Sequence, residues 1–129
     1  MTDNSGEIIF DLFVIDKLKK MSKRVIIGSK SEPILNDMTA EEVREMTDDK
    51  VVATGPVVGT TLDNIGQEAI ELLFSPNWLV ISKGMGNFET ISEFDAMLKG
   101  RLIYIFRAKC QPVANATRVT RGTLVVKSI

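Results

Sequence analysis

Asn77-Trp-Leu-Val-Ile-Ser-Lys-Gly-Met-Gly-Asn-Phe-Glu89 is the stretch whose reading decides the fold. Asn77–Ser82 is a short apolar, β-branched run and predicts a buried strand. Lys83-Gly-Met-Gly-Asn87 reads as a loop, and Phe88–Leu98 then carries apolar residues at helical spacing. A strand that runs through glycines into a helix is the repeating unit of α/β proteins.

The same alternation extends in both directions. Downstream, Gly100 ends the helix, Leu102–Phe106 reads as a strand, and Pro112 suits the first turn of a helix over 111–116. Thr123–Lys127 closes the chain as a strand. Upstream, strands are expected at Arg24–Gly28 and Val51–Thr54. Thr39-Ala-Glu-Glu42 has capping-box spacing, so a helix is expected from Ala40 to Met46. Leu62–Leu73 is expected to be helical, weakened by Gly66. Gly59 suggests a loop close to a ligand or to another backbone. Glu7–Lys20 is a further helix, with Lys17, Lys19 and Lys20 where the helix dipole favours cations, and Asp3 or Asn4 is a suitable N-cap. The expected fold is one α/β domain over residues 1–129, with three α/β/α layers and a mostly parallel sheet. The pattern does not specify the strand order.

Composition narrows the chemistry. Sixteen basic and seventeen acidic residues give a net charge of −1, with no global attraction to nucleic acid or anionic membrane. Runs such as Trp78–Ile81 are far too short to span a bilayer. No basic, apolar leader opens the sequence, and one cysteine, Cys110, cannot form an internal disulfide, so a cytoplasmic location is expected. Cys110 itself reads as a small buried apolar residue. There is no histidine, which excludes Ser-His-Asp and Cys-His catalysis and histidine-ligated zinc. Any metal must be held by carboxylate and amide oxygens, which suits hard ions.

In open α/β sheets, ligands bind beyond the carboxyl ends of the strands. That rule gathers Lys83, Gly84, Asn87 and Lys109 at one edge, with Asp3-Asn4 and Asn36-Asp37 ahead of helices there. Asp3, Asn4 and Asp37 can supply oxygens to a cation, while Lys83 and Lys109 can meet a phosphate. Each also has a plain structural reading: a helix cap for Asp3-Asn4, a turn for Asn36-Asp37, a solvated loop for Lys83–Gly86 and a surface position for Lys109.

Four pieces resemble the metal-dependent damage-control phosphatases, most closely their prokaryotic branch. They are Asp3-Asn-Ser-Gly-Glu7, Leu35-Asn-Asp-Met-Thr39, Ile81-Ser-Lys-Gly-Met-Gly-Asn-Phe-Glu89, and Ala108-Lys-Cys110 followed by Pro112-Val-Ala114. The resemblance implies hydrolysis of phosphate monoesters of small metabolites, such as sugar phosphates. It implies a divalent metal (manganese, cobalt, nickel or magnesium) on Asp3, Asn4 and Asp37, with Asp3 or Asp37 also able to take a proton from water. It places Lys109 on the phosphate, and Lys83, Gly84, Asn87 and Glu7 around the substrate. In that family a strand leads into the Asp-Asn pair, behind a helical domain. The chain is therefore expected to correspond to the C-terminal α/β portion, lacking that first strand and helical domain, with an unpaired sheet edge open to self-association. The competing expectation is a non-catalytic module that binds an anion or nucleotide at the same edge.

Overall fold

The computed structural model describes all 129 residues. A single 3-10 turn, Ser5–Glu7, leads into α1 (Ile8–Lys20). Then follow β1 (Ile26–Ser29), α2 (Ala40–Met46), β2 (Lys50–Ala53), α3 (Gln67–Phe74) and β3 (Val80–Lys83). The chain ends with α4 (Met85–Ile91), β4 (Leu102–Arg107), α5 (Gln111–Thr117) and β5 (Leu124–Ser128). The alternation of strands and helices is as expected. The capping box of α2 forms: Thr39 Oγ1 accepts from Glu42 N at 3.2 Å, and Glu42 Oε2 accepts from Thr39 N at 2.8 Å.

Two helices differ from the expectation, and glycine is the reason in both. Gly66 is the N-cap of α3 rather than an interior residue, so Leu62–Ile65 form a turn and the helix begins at Gln67. Gly adopts an extended cap conformation readily but weakens a helix interior. Gly84 has φ of +88°, which stops β3 and lets α4 begin at Met85, three residues earlier than Phe88. The helix then ends at Ile91, and a 3-10 turn at Ser92–Phe94 carries the chain to Leu98.

The sheet is divided. β1 and β2 pair in parallel, as do β3 and β4, whereas β5 joins β4 antiparallel, so there are two sheets instead of one, with two of the three strand pairings parallel. Met1 and Thr2 lie in the gap. The Met1 ammonium donates to Ile81 O at 2.8 Å, Lys83 N donates to Met1 O at 3.3 Å, and Thr2 N donates to Gly28 O at 2.9 Å.

Strand alternation explains the layers. Ile27 and Val51 pack with Ile8 of α1 and Val43 of α2, while their neighbours Ile26 and Val52 pack with Ile65 and Ala69 on the α3 side. Helices thus cover both faces of β1–β2. Along β4, Leu102, Tyr104 and Phe106 are buried against Phe88 and Ile91 of α4 and Val113 and Ala114 of α5. Phe88 stacks on Phe106 at 4.5 Å and meets Tyr104 edge-on at 5.1 Å. The opposite face of this sheet exposes Ile105, Leu124 and Val126.

The turn after α4 buries Leu98 completely and leaves Met97 65% exposed. Leu98→Ala is expected to cost about 3 kcal/mol, because it leaves a cavity in the main core, and Met97→Ala less than about 0.5 kcal/mol. Urea unfolding of the two variants measures both; similar costs would contradict this turn.

Candidate active site

Two short segments create the site. Ser5 N donates to Asn36 O at 2.7 Å, and Met38 N donates to Asp3 O at 3.4 Å, so residues 3–5 lie antiparallel to 36–38. Asn4 and Asp37 are opposed in this bridge. A tight turn at Ile34–Asp37 presents Asp37, closed by Asp37 N donating to Ile34 O at 2.9 Å, with Leu35 at φ of +52°. Asp3, Asn4 and Asp37, distant in sequence, are therefore neighbours in space.

None of the three caps a helix. Asn4 stands at the N-cap of the 3-10 turn, but no side-chain cap bond forms there or at the start of α1. Asn4 Nδ2 instead donates to Asp3 Oδ2 at 3.0 Å and to Glu7 Oε1 at 3.2 Å. That leaves Asn4 Oδ1 without a donor. Burial raises the Asp3 carboxyl above its ordinary pKa, and the charges of Asp37 and Glu7 raise it further. Burial raises Asp37 as well. At both carboxylates burial outweighs the pull of the nearby lysines.

Gly84 makes room for this cluster. A Cβ built on it would stand 2.3 Å from Asp3 Oδ1, so the carboxylate rests directly on the glycine. Asn87 is turned inward. It is 4% exposed, and its Nδ2 donates to Thr2 O at 3.1 Å and Lys83 O at 2.8 Å, while its Oδ1 accepts from Thr60 at 3.0 Å. All its polar atoms are used internally, so it anchors the first residues of the chain rather than facing a ligand.

The lysines divide sharply. Lys83 Nζ pairs with Glu7 Oε2 at 2.8 Å and Asp11 Oδ1 at 2.7 Å. Burial pulls its pKa down, but the hydrogen bonds to Asp11 and Glu7 outweigh that and raise it. The bond from Lys83 in turn lowers the Glu7 carboxyl. Lys83 thus ties β3 to the start of α1 and has little charge to spare for a phosphate. Lys109 lies beyond the end of β4, exposed and in no ion pair, near enough to Asp3, Glu7 and Asp37 for its charge to oppose the rise at Asp3 and Asp37 and to add to the fall at Glu7. Cys110 is partly buried, its Sγ 3.9 Å from Met85 Sδ.

The sequence reading passed over Lys30. It is 2% exposed, its ammonium donates to Gly59 O, and it faces Asp3 and Asp37. Burial lowers its pKa. A signal was available: Ser29-Lys30 ends β1 as Ser82-Lys83 ends β3. The loop it holds bears out the expectation for Gly59, whose added Cβ would meet Gly86 O at 2.5 Å. The close neighbour is another backbone.

The donor set fits a hard divalent cation. Two carboxylates and a free amide oxygen converge, and the Asp37 carboxylate and Asp3 Oδ1 receive no hydrogen bond. No three Asp, Glu or Cys side chains are arranged to hold a metal ion by themselves, so a cation here would complete its shell with the amide and with water or substrate oxygens. No helix is long and apolar enough to cross a membrane.

Known proteins resemble this chain in sequence and in fold. The family model described as the damage-control phosphatase ARMT1-like domain matches residues 1–125. A damage-control phosphatase of Pyrococcus horikoshii is 38% identical over 97% of the chain, and one of Archaeoglobus fulgidus is 31% identical over all of it. An uncharacterized protein of Methanocaldococcus jannaschii is 38% identical over 96%. The crystal structure of a DUF89 family protein from Pyrococcus horikoshii superposes with a TM-score of 0.86 at 36% identity, over 96% of this chain and 44% of that one. The chain spans only 42–45% of the length of the three sequence relatives. On the family match and the shared fold, this chain belongs to the damage-control phosphatase ARMT1-like domain family.

Proposed function

We propose that the chain is the catalytic α/β portion of a metal-dependent phosphatase that hydrolyses phosphate monoesters of small metabolites such as sugar phosphates. The observation that carries this reading is the convergence of Asp3, Asn4 and Asp37 beside the unpaired ammonium of Lys109. A cation needs the first group, a phosphoryl group needs the second, and phosphate hydrolysis needs both together. Asp3, Asn4 and Asp37 would hold manganese, cobalt, nickel or magnesium, which supplies charge neutralisation at the phosphoryl group when bound.

The chain's own residues do the rest. Lys109 binds the phosphoryl oxygens and stabilises charge that develops on them. A carboxylate oxygen of Asp37 or Asp3 accepts a proton from the attacking water, a role helped by the raised pKa of both groups. Lys83 acts through position: by binding Glu7 and Asp11 it fixes the start of α1, and Glu7 in turn orients Asn4. Gly84 lets the Asp3 carboxylate sit over β3, and Asn87 holds Thr2 and hence the segment that carries Asp3. A cytoplasmic setting fits the lone Cys110.

Hydrolysis of a generic phosphate ester with manganese tests the reading. Asp37→Asn is expected to lower kcat about a hundredfold or more, and Lys109→Met to lower kcat/KM by a similar factor. An Asp37→Asn protein as active as the unaltered chain would refute the assignment.

Stability gives a second readout, with a definite sign. Asp3 and Asp37 titrate higher in the fold than in the unfolded chain. The stabilisation they give is full below the ordinary carboxylate range of about 4 and is lost as pH rises through their raised values. Metal-free protein should therefore lose stability from this pair on going to neutral pH, and Asp37→Asn should raise Tm at pH 7 but not at pH 3.5. Manganese at pH 7 should raise Tm in the unaltered chain and much less in the variant. Thermal melts at the two pH values, with and without manganese, measure this.

A further inference from the structure

Lys30 follows directly on β1, and its backbone is fixed at the edge where the site lies. Lys30 N donates to Met38 O at 3.2 Å, and Lys30 O accepts from Ala40 N at 2.6 Å, so residue 30 is laced to the segment that presents Asp37. Its side chain reaches the loop after β2 and donates to Gly59 O. That loop continues into the framework of the site. Thr60 Oγ1 bonds to Asn87 Oδ1 at 3.0 Å, and Asn87 Nδ2 donates to Thr2 O, next to Asp3.

Fixing a loop does not require a charge. An ammonium carries three N–H donors, and here only Gly59 O accepts one. Lys30 takes part in none of the ion pairs of the chain, and it is almost wholly buried. A buried cation on a single neutral carbonyl destabilises a fold, and methionine would fill the same space without that penalty. The charged groups that Lys30 faces are the carboxylates of Asp3 and Asp37. At Asp37 it is the stronger of the two lysines that oppose the effect of burial, ahead of Lys109.

We propose that Lys30 is a positioning residue whose buried charge, acting through Asp3 and Asp37, makes the site hold a cation and a phosphate dianion together in preference to a cation alone. The inference rests on the metal and phosphate reading of the site. Lys30 is too deeply buried to touch a ligand, so it acts through its field. That field opposes a cation on the two carboxylates and favours an anion placed against that cation. Because the ammonium is buried, salt screens it little. With a divalent cation on Asp3 and Asp37, Lys30 and Lys109 leave the immediate site positive, and a phosphate dianion offsets that charge. Lys109 supplies the contact, and Lys30 supplies a charge that cannot move away.

The test uses binding rather than turnover. The intact chain and its Lys30→Met and Lys30→Gln variants are titrated with manganese(II) alone, the free ion being read by electron paramagnetic resonance. Each manganese-loaded protein is then titrated with inorganic phosphate. Both variants are expected to bind manganese about tenfold more tightly than the unaltered chain, and phosphate about tenfold more weakly. The opposite signs are diagnostic. If Lys30 only pins the loop, Lys30→Met should weaken both ligands, while Lys30→Gln, which keeps an N–H for Gly59 O, should weaken neither; that pattern would overturn the proposal. Unchanged affinities in both variants would overturn it too. Loss of the folded state in both, seen by circular dichroism, would make the ammonium a structural group and count equally against it. An unaltered chain that binds no manganese would instead bring down the metal reading of the site, and this inference with it.

Discussion

Residues 1–5 hydrogen-bond to β1, to β3 and to the 36–38 segment within the length of one short strand. Everything that gives the candidate site its shape follows from this threading. Met1 and Thr2 join the two sheets, and the next two residues bring Asp3 and Asn4 against Asp37. The two carboxylates repel, so their approach costs energy that backbone bonds must offset. Those bonds are individually worth about 1 kcal/mol, and Asn87 adds a side-chain bond to Thr2 O. The surrounding chain thus holds two carboxylates partly out of water, which is the condition in which a cation is welcome.

The three lysines nearby meet these carboxylates differently. Lys83 is saturated by Glu7 and Asp11, and Lys30 is buried with its ammonium on a carbonyl. Lys109 alone keeps an exposed, unpaired ammonium. Two cations therefore build the walls, and one is left for a ligand. Because Lys30 and Lys83 lie at the ends of strands from different sheets, the same local device serves both sheets.

Much of the architecture was legible because its signals are local. The Thr39–Glu42 cap and Pro112 at the start of α5 each act within a few residues, and each behaves as its chemistry dictates, whereas the helix expected to run to Gly100 ends at Ile91. Gly66 and Gly84 were legible as interruptions, but whether a glycine weakens a helix or begins one depends on a backbone angle that spacing does not reveal. The divided sheet was not legible, since strand order is decided by long-range pairing. The candidate site was legible in membership but less so in role. The ends-of-strands rule found Lys83 and Asn87 yet could not say that both spend their polar atoms internally. Lys30 was missed because a lysine is seldom so deeply buried, and only the third dimension supplies Gly59 O and the acidic neighbours that accompany it.

The contact between Gly84 and the Asp3 carboxylate also constrains how the protein can vary. Position 84 needs a residue with no side chain, both for its backbone angle and for the space that Asp3 occupies. A codon change at 84 would evict the carboxylate, and a bulkier acid at 3 would press on the same atoms. The two loci, eighty-one residues apart, are thereby locked to one another, and lineages that keep the acid should find no tolerated replacement for the glycine.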